Sequence, residues 1–264
     1  MLSPVTISTM KINKKILNLF LAFLSLAFWV AVWHVTANKI GKSILLPSPS
    51  ETAEVFFTLV KTKEFWHTAL NSLKSIFSGA LAGVAVGVSI ALLSYVTPFF
   101  EYLFAPLLSL VKATPVASFI ILALVWIGKE HIPFAIALMM ATPIVSSNVY
   151  EGLLGIDREL YEVTKLYNFS FAKSWNMLYR HSLLPYFVSA TRSALSLAWK
   201  AGIAAEVLCT PQNSIGLMLY ESKIYFEFPT LFAWTLTVII LSFILEKAVV
   251  FFAEILLGKG RRKA

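Results

Sequence analysis

Ionisable side chains, among them Lys112, Arg192, Lys200, Glu206 and Glu246, stand inside long apolar runs. A charge facing hydrocarbon costs about 2.5 to 3.5 kcal/mol, so such groups are expected to meet a cavity, a partner or one another. That is the chemistry of a polar pathway or a packed ionic contact, and the pattern for catalysis is missing. No glycine-rich phosphate loop followed by Lys-Ser/Thr occurs, so hydrolysis of nucleotide by this chain is not expected. His34, His67, His131 and His181 are scattered, with no HExxH and no metal-ligand spacing. No nucleophile has a base at motif spacing, so the catalytic and metal sets are both expected to be empty. Cys209, the one cysteine, excludes an internal disulfide and reads as a small buried side chain.

The second chemically distinct stretch is 151–185. Glu151, Asp157, Arg158, Glu159, Glu162, Lys165, Lys173 and Arg180 crowd into it, whereas 75–149 carries only Glu101, Lys112, Lys129 and Glu130 as formal charges. A polar island between apolar spans is a loop in water, and loops on rigid scaffolds often carry function. Leu160, Val163 and Tyr167 recur at helical spacing, giving one apolar face that needs a cover: headgroups, its own bundle or a groove on another protein. Asn168 suits the left-handed turn that ends a helix, and Ser170 is placed to cap the next. Phe171, Trp175 and Leu178 mark a second stripe, and Pro185 suits the first turn of a following membrane helix. The expectation is helix, tight turn, helix at a membrane surface.

These groups are positioned by apolar segments. The composition is 58% hydrophobic and 14% charged, against about a quarter charged in soluble domains, which indicates a polytopic membrane protein. The net charge of +8 gathers at span ends, which fits membrane anchoring and not a nucleic-acid face. Spans are predicted at 16–37, 76–96, 102–127, 132–150, 186–210 and 231–252. The first would extend about 33 Å, enough to cross the hydrocarbon core. Val35-Thr36-Ala37 resembles a signal cleavage site, but the apolar run is too long for a signal core, so a retained helix is expected. Between the first two spans, Ser48-Pro49-Ser50-Glu51 forms a capping-box pattern. It opens a helix whose Val55, Phe56, Leu59 and Val60 are expected to lie in the interface.

Gly79, Gly83, Gly87 and Ala91 share one helix face, predicting close packing inside the chain in preference to a dimer seam. Pro106 and Pro115 interrupt the third span on either side of Lys112, which either faces a cavity or snorkels to the inner interface. Arg192 and Glu206 are expected on one face of the fifth span, about 21 Å apart. Lys11, Lys14, Lys15, the loop cations and Lys259, Arg261, Arg262 and Lys263 outnumber the cations of the outer segments. Both termini and the 151–185 loop are therefore expected on the cytoplasmic side of the cell membrane.

The loop resembles the EAA loop of ABC importer permeases. Glu162-Val163-Thr164 matches Glu-Ala-Ala, Asn168 takes the glycine position, and Leu184-Pro185-Tyr186 matches a later Leu-Pro-Tyr. Strict spacing would place the family's Leu-Pro at 180–181, where Arg180-His181 stands. Leu46-Pro47-Ser48-Pro49-Ser50-Glu51, Lys112-Ala113-Thr114-Pro115, Trp126-Ile127-Gly128, Ala205-Glu206 and Ile215-Gly216 resemble features of the nitrate/sulfonate/taurine-type branch, over about 40–255.

The resemblance implies a single all-α domain spanning 1–264: six transmembrane helices with a cytoplasmic helix-turn-helix coupling loop, the type I ABC importer permease fold. It implies a subunit that forms the pathway for a small solute. A separate ABC ATPase, which binds the ATP, an extracytoplasmic substrate-binding protein and a second permease copy are the implied partners, with membrane lipid around them and no cofactor of its own. Leu160, Glu162, Val163, Thr164, Tyr167, Asn168 and Ser170 would couple to the ATPase, with Glu162 pairing either with a cation there or with Lys165. Lys112, Pro115, Arg192 and Glu206 would face the pathway or the bundle interior. A stand-alone secondary transporter is the alternative. It would need inverted repeats and mid-membrane carboxylates, and no repeat is found.

Overall fold

The structure is a computed structural model and describes residues 14–256; the terminal cations Lys11, Lys259, Arg261, Arg262 and Lys263 lie outside the described residues. The described residues are helical, with no strand. Helix α1 (Lys14–Ile40) stops at Gly41, whose φ of 64° is the left-handed conformation that glycine adopts without strain. Helix α2 (Pro49–Val60) opens on the expected capping box: the Glu51 amide donates to Ser48 Oγ (3.3 Å) and the Ser48 amide to Glu51 Oε2 (2.8 Å). The Ser48 amide, then the Ser43 hydroxyl, hold the Glu51 carboxyl below its ordinary range. Phe56, Leu59 and Val60 pack on the bundle, Phe56 meeting Phe65 edge-on at 6.3 Å between ring centres.

Helix α3 (Lys63–Val96) starts thirteen residues before the predicted second span, because Thr62 caps it by accepting from the Phe65 amide. Helix α4 (Pro98–Ala113) carries Pro106 in its interior without breaking. The break falls at Thr114-Pro115, where the chain bends by 108° into α5 (Val116–Trp126). A 3-10 turn (Lys129–His131) leads into α6 (Ile132–Leu154). Then come α7 (Arg158–Leu166), the short α8 (Phe171–Ser174) and α9 (Arg180–Cys209), with one wide turn at Trp175–Tyr179 joining the last two without interruption. Pro185 therefore sits inside a continuous helical run and not in the first turn of a new helix, as the sequence suggested. Helices α10 (Ile215–Ile224) and α11 (Phe228–Leu256) complete the chain.

The small-residue row decides the packing. A Cβ on Gly79, Gly83 or Gly87 would fall 2.3 to 2.7 Å from the carbonyl oxygens of Phe134, Leu138 and Thr142, in that order. The contacts advance together along both helices, so α3 and α6 are parallel and their backbones touch within one chain. Gly202 meets Ile76, and Gly152 meets Tyr186, so α9 runs against both. Around this three-helix centre the core collects Ile76, Ala91, Val145, Ala194, Trp199 and Trp234. A second cluster joins Ile120 of α5 to Ile136, Met140, Ala205 and the buried Cys209.

Among the described residues, Phe20–Ile40, Lys63–Val96, Lys129–Leu154 and Phe228–Phe251 are long and apolar enough to cross a membrane, and the bent α4–α5 pair makes a fifth if it counts as one span. The thirty-residue α9 has the length but is not apolar enough to qualify on composition; it carries Arg180, Arg192, Lys200 and Glu206.

Candidate functional site

The 151–185 stretch leaves the bundle between two antiparallel helices, α6 and α9. Asp157 starts α7 by accepting from the amides of Glu159 (2.8 Å) and Leu160 (3.2 Å). The helix stops in a Schellman arrangement: the Phe169 amide donates to Thr164 O (3.0 Å), the Asn168 amide to Lys165 O (3.2 Å), and Asn168 takes a φ of 45°. Asparagine tolerates that conformation at the position where the resembling loop has glycine.

Helix α7 has two faces. Thr164 is buried, its hydroxyl donating to Tyr161 O (2.7 Å), and so faces the protein's own interior. Leu160, Val163 and Tyr167 are exposed, and Leu166 joins them at 79% exposure. The sequence reading missed Leu166, although its spacing of three from Val163 is a helical one. Glu162 pairs with Arg158 one turn back (3.8 Å), not with Lys165; both side chains stand largely in solvent, so the pair contributes little. Ser170 O receives the Lys173 and Ser174 amides, starting the next helix, and Lys173 Nζ lies 3.8 Å over the Phe169 ring. The second stripe divides: Leu178 is buried and Trp175 exposed, stacked on Tyr179. The Phe171 side chain lies outside the described ones.

The membrane-level charges fall into three different environments. Glu206 is 1% exposed; its Oε2 accepts from the Ser72 hydroxyl (2.8 Å) and the Gly216 amide (3.1 Å), while Ser72 Oγ also accepts from the Ile215 amide (2.8 Å). The two short motifs Ala205-Glu206 and Ile215-Gly216 thus form one contact that pins the start of α10 to α3 and α9. Nearby, Asn71 donates to Asn213 O (3.0 Å), Lys129 to Thr210 O (3.4 Å), and Glu130 accepts from the Gln212 amide (3.2 Å).

Lys112 is exposed on the single chain. Its ammonium donates to Ser147 Oγ of α6 (2.7 Å) just before the bend, and Pro115, also exposed, starts the next helix. Arg192, fourteen residues before Glu206 on the continuous α9, is exposed and pairs with Glu246 of α11. The sequence treated both groups singly because they lie 54 residues apart, with no local signal to join them. They line an open cleft of about 380 Å³ with Phe243, Lys247, Val250 and Phe251. Arg192→Leu is expected to destabilise the chain by up to about 2.5 kcal/mol, the cost of a lone charge at membrane depth. Arg192→Leu combined with Glu246→Leu should recover most of that loss. Thermal unfolding of the two purified variants separates a working ion pair from two independent surface charges.

This arrangement offers an exposed amphipathic helix on a rigid turn, a pinned start of α10, and cations on the apolar helices that bond Glu246 and Ser147. Residues 83–257 match the family model described as binding-protein-dependent transport system inner membrane component. A protein of Brucella melitensis named a probable ABC transporter permease is 25% identical, covering 89% of this chain and 95% of its own length. The aliphatic sulfonates transport permease protein SsuC of Escherichia coli is 26% identical over 75% of this chain and 76% of its own. The formylaminopyrimidine transport permease protein ThiX of Halalkalibacterium halodurans is 25% identical over 77% of this chain and 81% of its own.

Proposed function

Since the chain belongs to the binding-protein-dependent transport system inner membrane component family, we propose that it is the membrane subunit of an ABC importer whose α7 couples it to a separate ATPase. The observation that carries this reading is the exposed stripe of Leu160, Val163, Leu166 and Tyr167, held between α6 and α9 by the left-handed turn at Asn168. An apolar helix face fixed in orientation suits a groove on a soluble partner. ATP-driven closure of two such ATPase subunits would move this helix and tilt the bundle between two access states.

The chain makes six crossings on this reading. Parallel α3 and α6 require a return between them, which the bent α4–α5 pair supplies, and α9 runs back against α6. The polar residues of α9 then lie where neighbouring helices cover them or where the pathway passes. Both termini and α7 face the cytoplasm, and α2 and α10 face the outside, where a binding protein delivers solute. A second copy completes the pathway. Lys112, beside the bend at Pro115, and Arg192 stand on the surface of one chain, where a neighbouring copy can enclose them. The cargo is a small polar solute: the similar permeases are named for aliphatic sulfonates and for a formylaminopyrimidine.

Single cysteines introduced at Lys74 and at Ala172, in a Cys209→Ser background, test the crossing number. A membrane-impermeant maleimide added to intact cells should label the first and leave the second untouched until the membrane is opened. Labelling of Ala172→Cys in intact cells would place the loop outside and remove the coupling role.

A further inference from the structure

The ion pair between Arg192 of α9 and Glu246 of α11 leaves one charge over. The open cleft that the pair lines also carries Lys247, so it holds two cations and one carboxylate. Among the described residues Lys247 pairs with no carboxylate, and the Arg192 and Lys247 side chains are both exposed. Arg192 gives Nε (3.0 Å) and Nη2 to a single oxygen, Glu246 Oε1. A guanidinium has five N–H donors, so most of them remain available in the cleft.

We propose that this cleft binds one anionic membrane phospholipid, its phosphate held by Lys247 and the unused donors of Arg192 and an acyl chain lying along α11. Ile240, Phe243, Ile244, Lys247 and Phe251 recur at helical spacing on α11 and all are exposed, so this face is apolar except for one cation. A lysine on such a face is costly against bare hydrocarbon and calls for an anion. A phospholipid brings the anion and the apolar chain together, whereas a soluble anion would leave Phe243 and Ile244 uncovered. The neighbouring copy that can enclose Arg192 carries the same net positive charge on the same surface, so it does not supply the missing anion.

The depth also fits. The Trp199 indole donates to Val238 O (3.2 Å), and seven residues earlier on α9 Arg192 meets Glu246, eight residues later on α11, so the two helices are antiparallel. The cleft therefore lies toward the end where α9 begins at Arg180 and α11 finishes at Leu256, the end that carries α7. From Phe228 to Lys247 α11 advances about 28 Å, close to the roughly 30 Å of a hydrocarbon core. With Phe228 at one boundary, Lys247 reaches the headgroups of the other. On the orientation proposed above, on which this inference rests for its leaflet, that is the cytoplasmic side, where anionic lipid gathers. Ile244, Phe243 and Ile240 then run from Lys247 toward the bilayer centre, as an acyl chain does.

The test uses the full chain reconstituted in phosphatidylcholine vesicles with a trace of photoreactive lipid. The probe is phosphatidylglycerol or phosphatidylcholine, each with the same diazirine on its acyl chain. After illumination, label on residues 240–251 should be about fivefold stronger from phosphatidylglycerol, the effect of one lysine on an anionic headgroup. Lys247→Gln should equalise the two probes, and Lys247→Arg should keep the preference. Excess inorganic phosphate should leave the labelling unchanged. Equal labelling of the wild-type chain by both probes overturns the proposal, as does a preference that survives Lys247→Gln or a label displaced by inorganic phosphate. Absence of label from 240–251 with both probes, the result of a second copy covering the cleft, overturns it too. Both leaflets have one composition, so the outcome does not depend on which side α7 faces, and a negative result bears on this cleft and not on the coupling of α7.

Discussion

Val163→Asp is expected to release the ATPase subunits while leaving the permease folded in the membrane. Val163 is 43% exposed at the middle of the α7 stripe, between Leu160 and Tyr167, and the buried side of the helix is held by Thr164 instead. The substitution therefore removes little packing from the bundle. On the proposed coupling it puts a charge into the centre of the contact with the ATPase, where truncation alone commonly costs 2 kcal/mol or more, so retention of the partner should weaken by about thirtyfold. Co-purification should lose the ATPase, and solute-stimulated ATP hydrolysis in vesicles should fall to the unstimulated level. Asn168 gives the conformational control. Its φ of 45° is free for glycine and strained for a β-branched residue. Asn168→Gly should retain coupling, and Asn168→Val should lose it by turning the stripe away from its groove.

The second large effect is expected at the opposite end of the molecule. A Cβ on Gly216 would lie 2.2 Å from the Glu206 Cβ and 2.3 Å from its carbonyl carbon, so even alanine cannot be accommodated without moving α10. Moving α10 breaks the bonds from the Gly216 amide to Glu206 and from the Ile215 amide to Ser72. Overpacking costs about 1 to 3 kcal/mol, and weakening the hydrogen bonding of a buried carboxylate adds to it. Gly216→Ala should thus lower the unfolding temperature and abolish transport. Gly128→Ala, whose Cβ would meet nothing within 4 Å, should do neither. Glu206→Gln keeps an acceptor for both partners and should be milder than Glu206→Leu. Equal loss in the glutamine and leucine variants would show that the carboxylate's charge, and not its geometry, matters.

What could be read beforehand divides along physical lines. The capping box at Ser48 and Glu51, the turn at Asn168 and the glycine row of α3 each depend on residues a few positions apart, where local rules suffice. Boundaries were less legible. α3 runs back to Lys63 because Thr62 caps it, and a hydropathy pattern does not register a cap outside the apolar run. Pro185 looked like a start and lies inside a helical run, because the chain from Phe171 to Cys209 absorbs it behind a wide turn. Long-range pairings were invisible. Arg192 with Glu246, Lys112 with Ser147 and Glu206 with Ser72 join residues 35 to 134 positions apart, and no spacing rule links them.

The account stands or falls on what α7 touches in the assembled transporter. A photoreactive benzoylphenylalanine placed at Tyr167, 68% exposed at the end of the stripe, can be illuminated in intact cells expressing the whole system. The expected result is one cross-linked product containing this chain and the ATPase subunit, lost in the Val163→Asp background. A Tyr167 probe that cross-links only lipid, or only a second copy of this chain, would contradict the coupling assignment and favour a transporter that works without an ATPase.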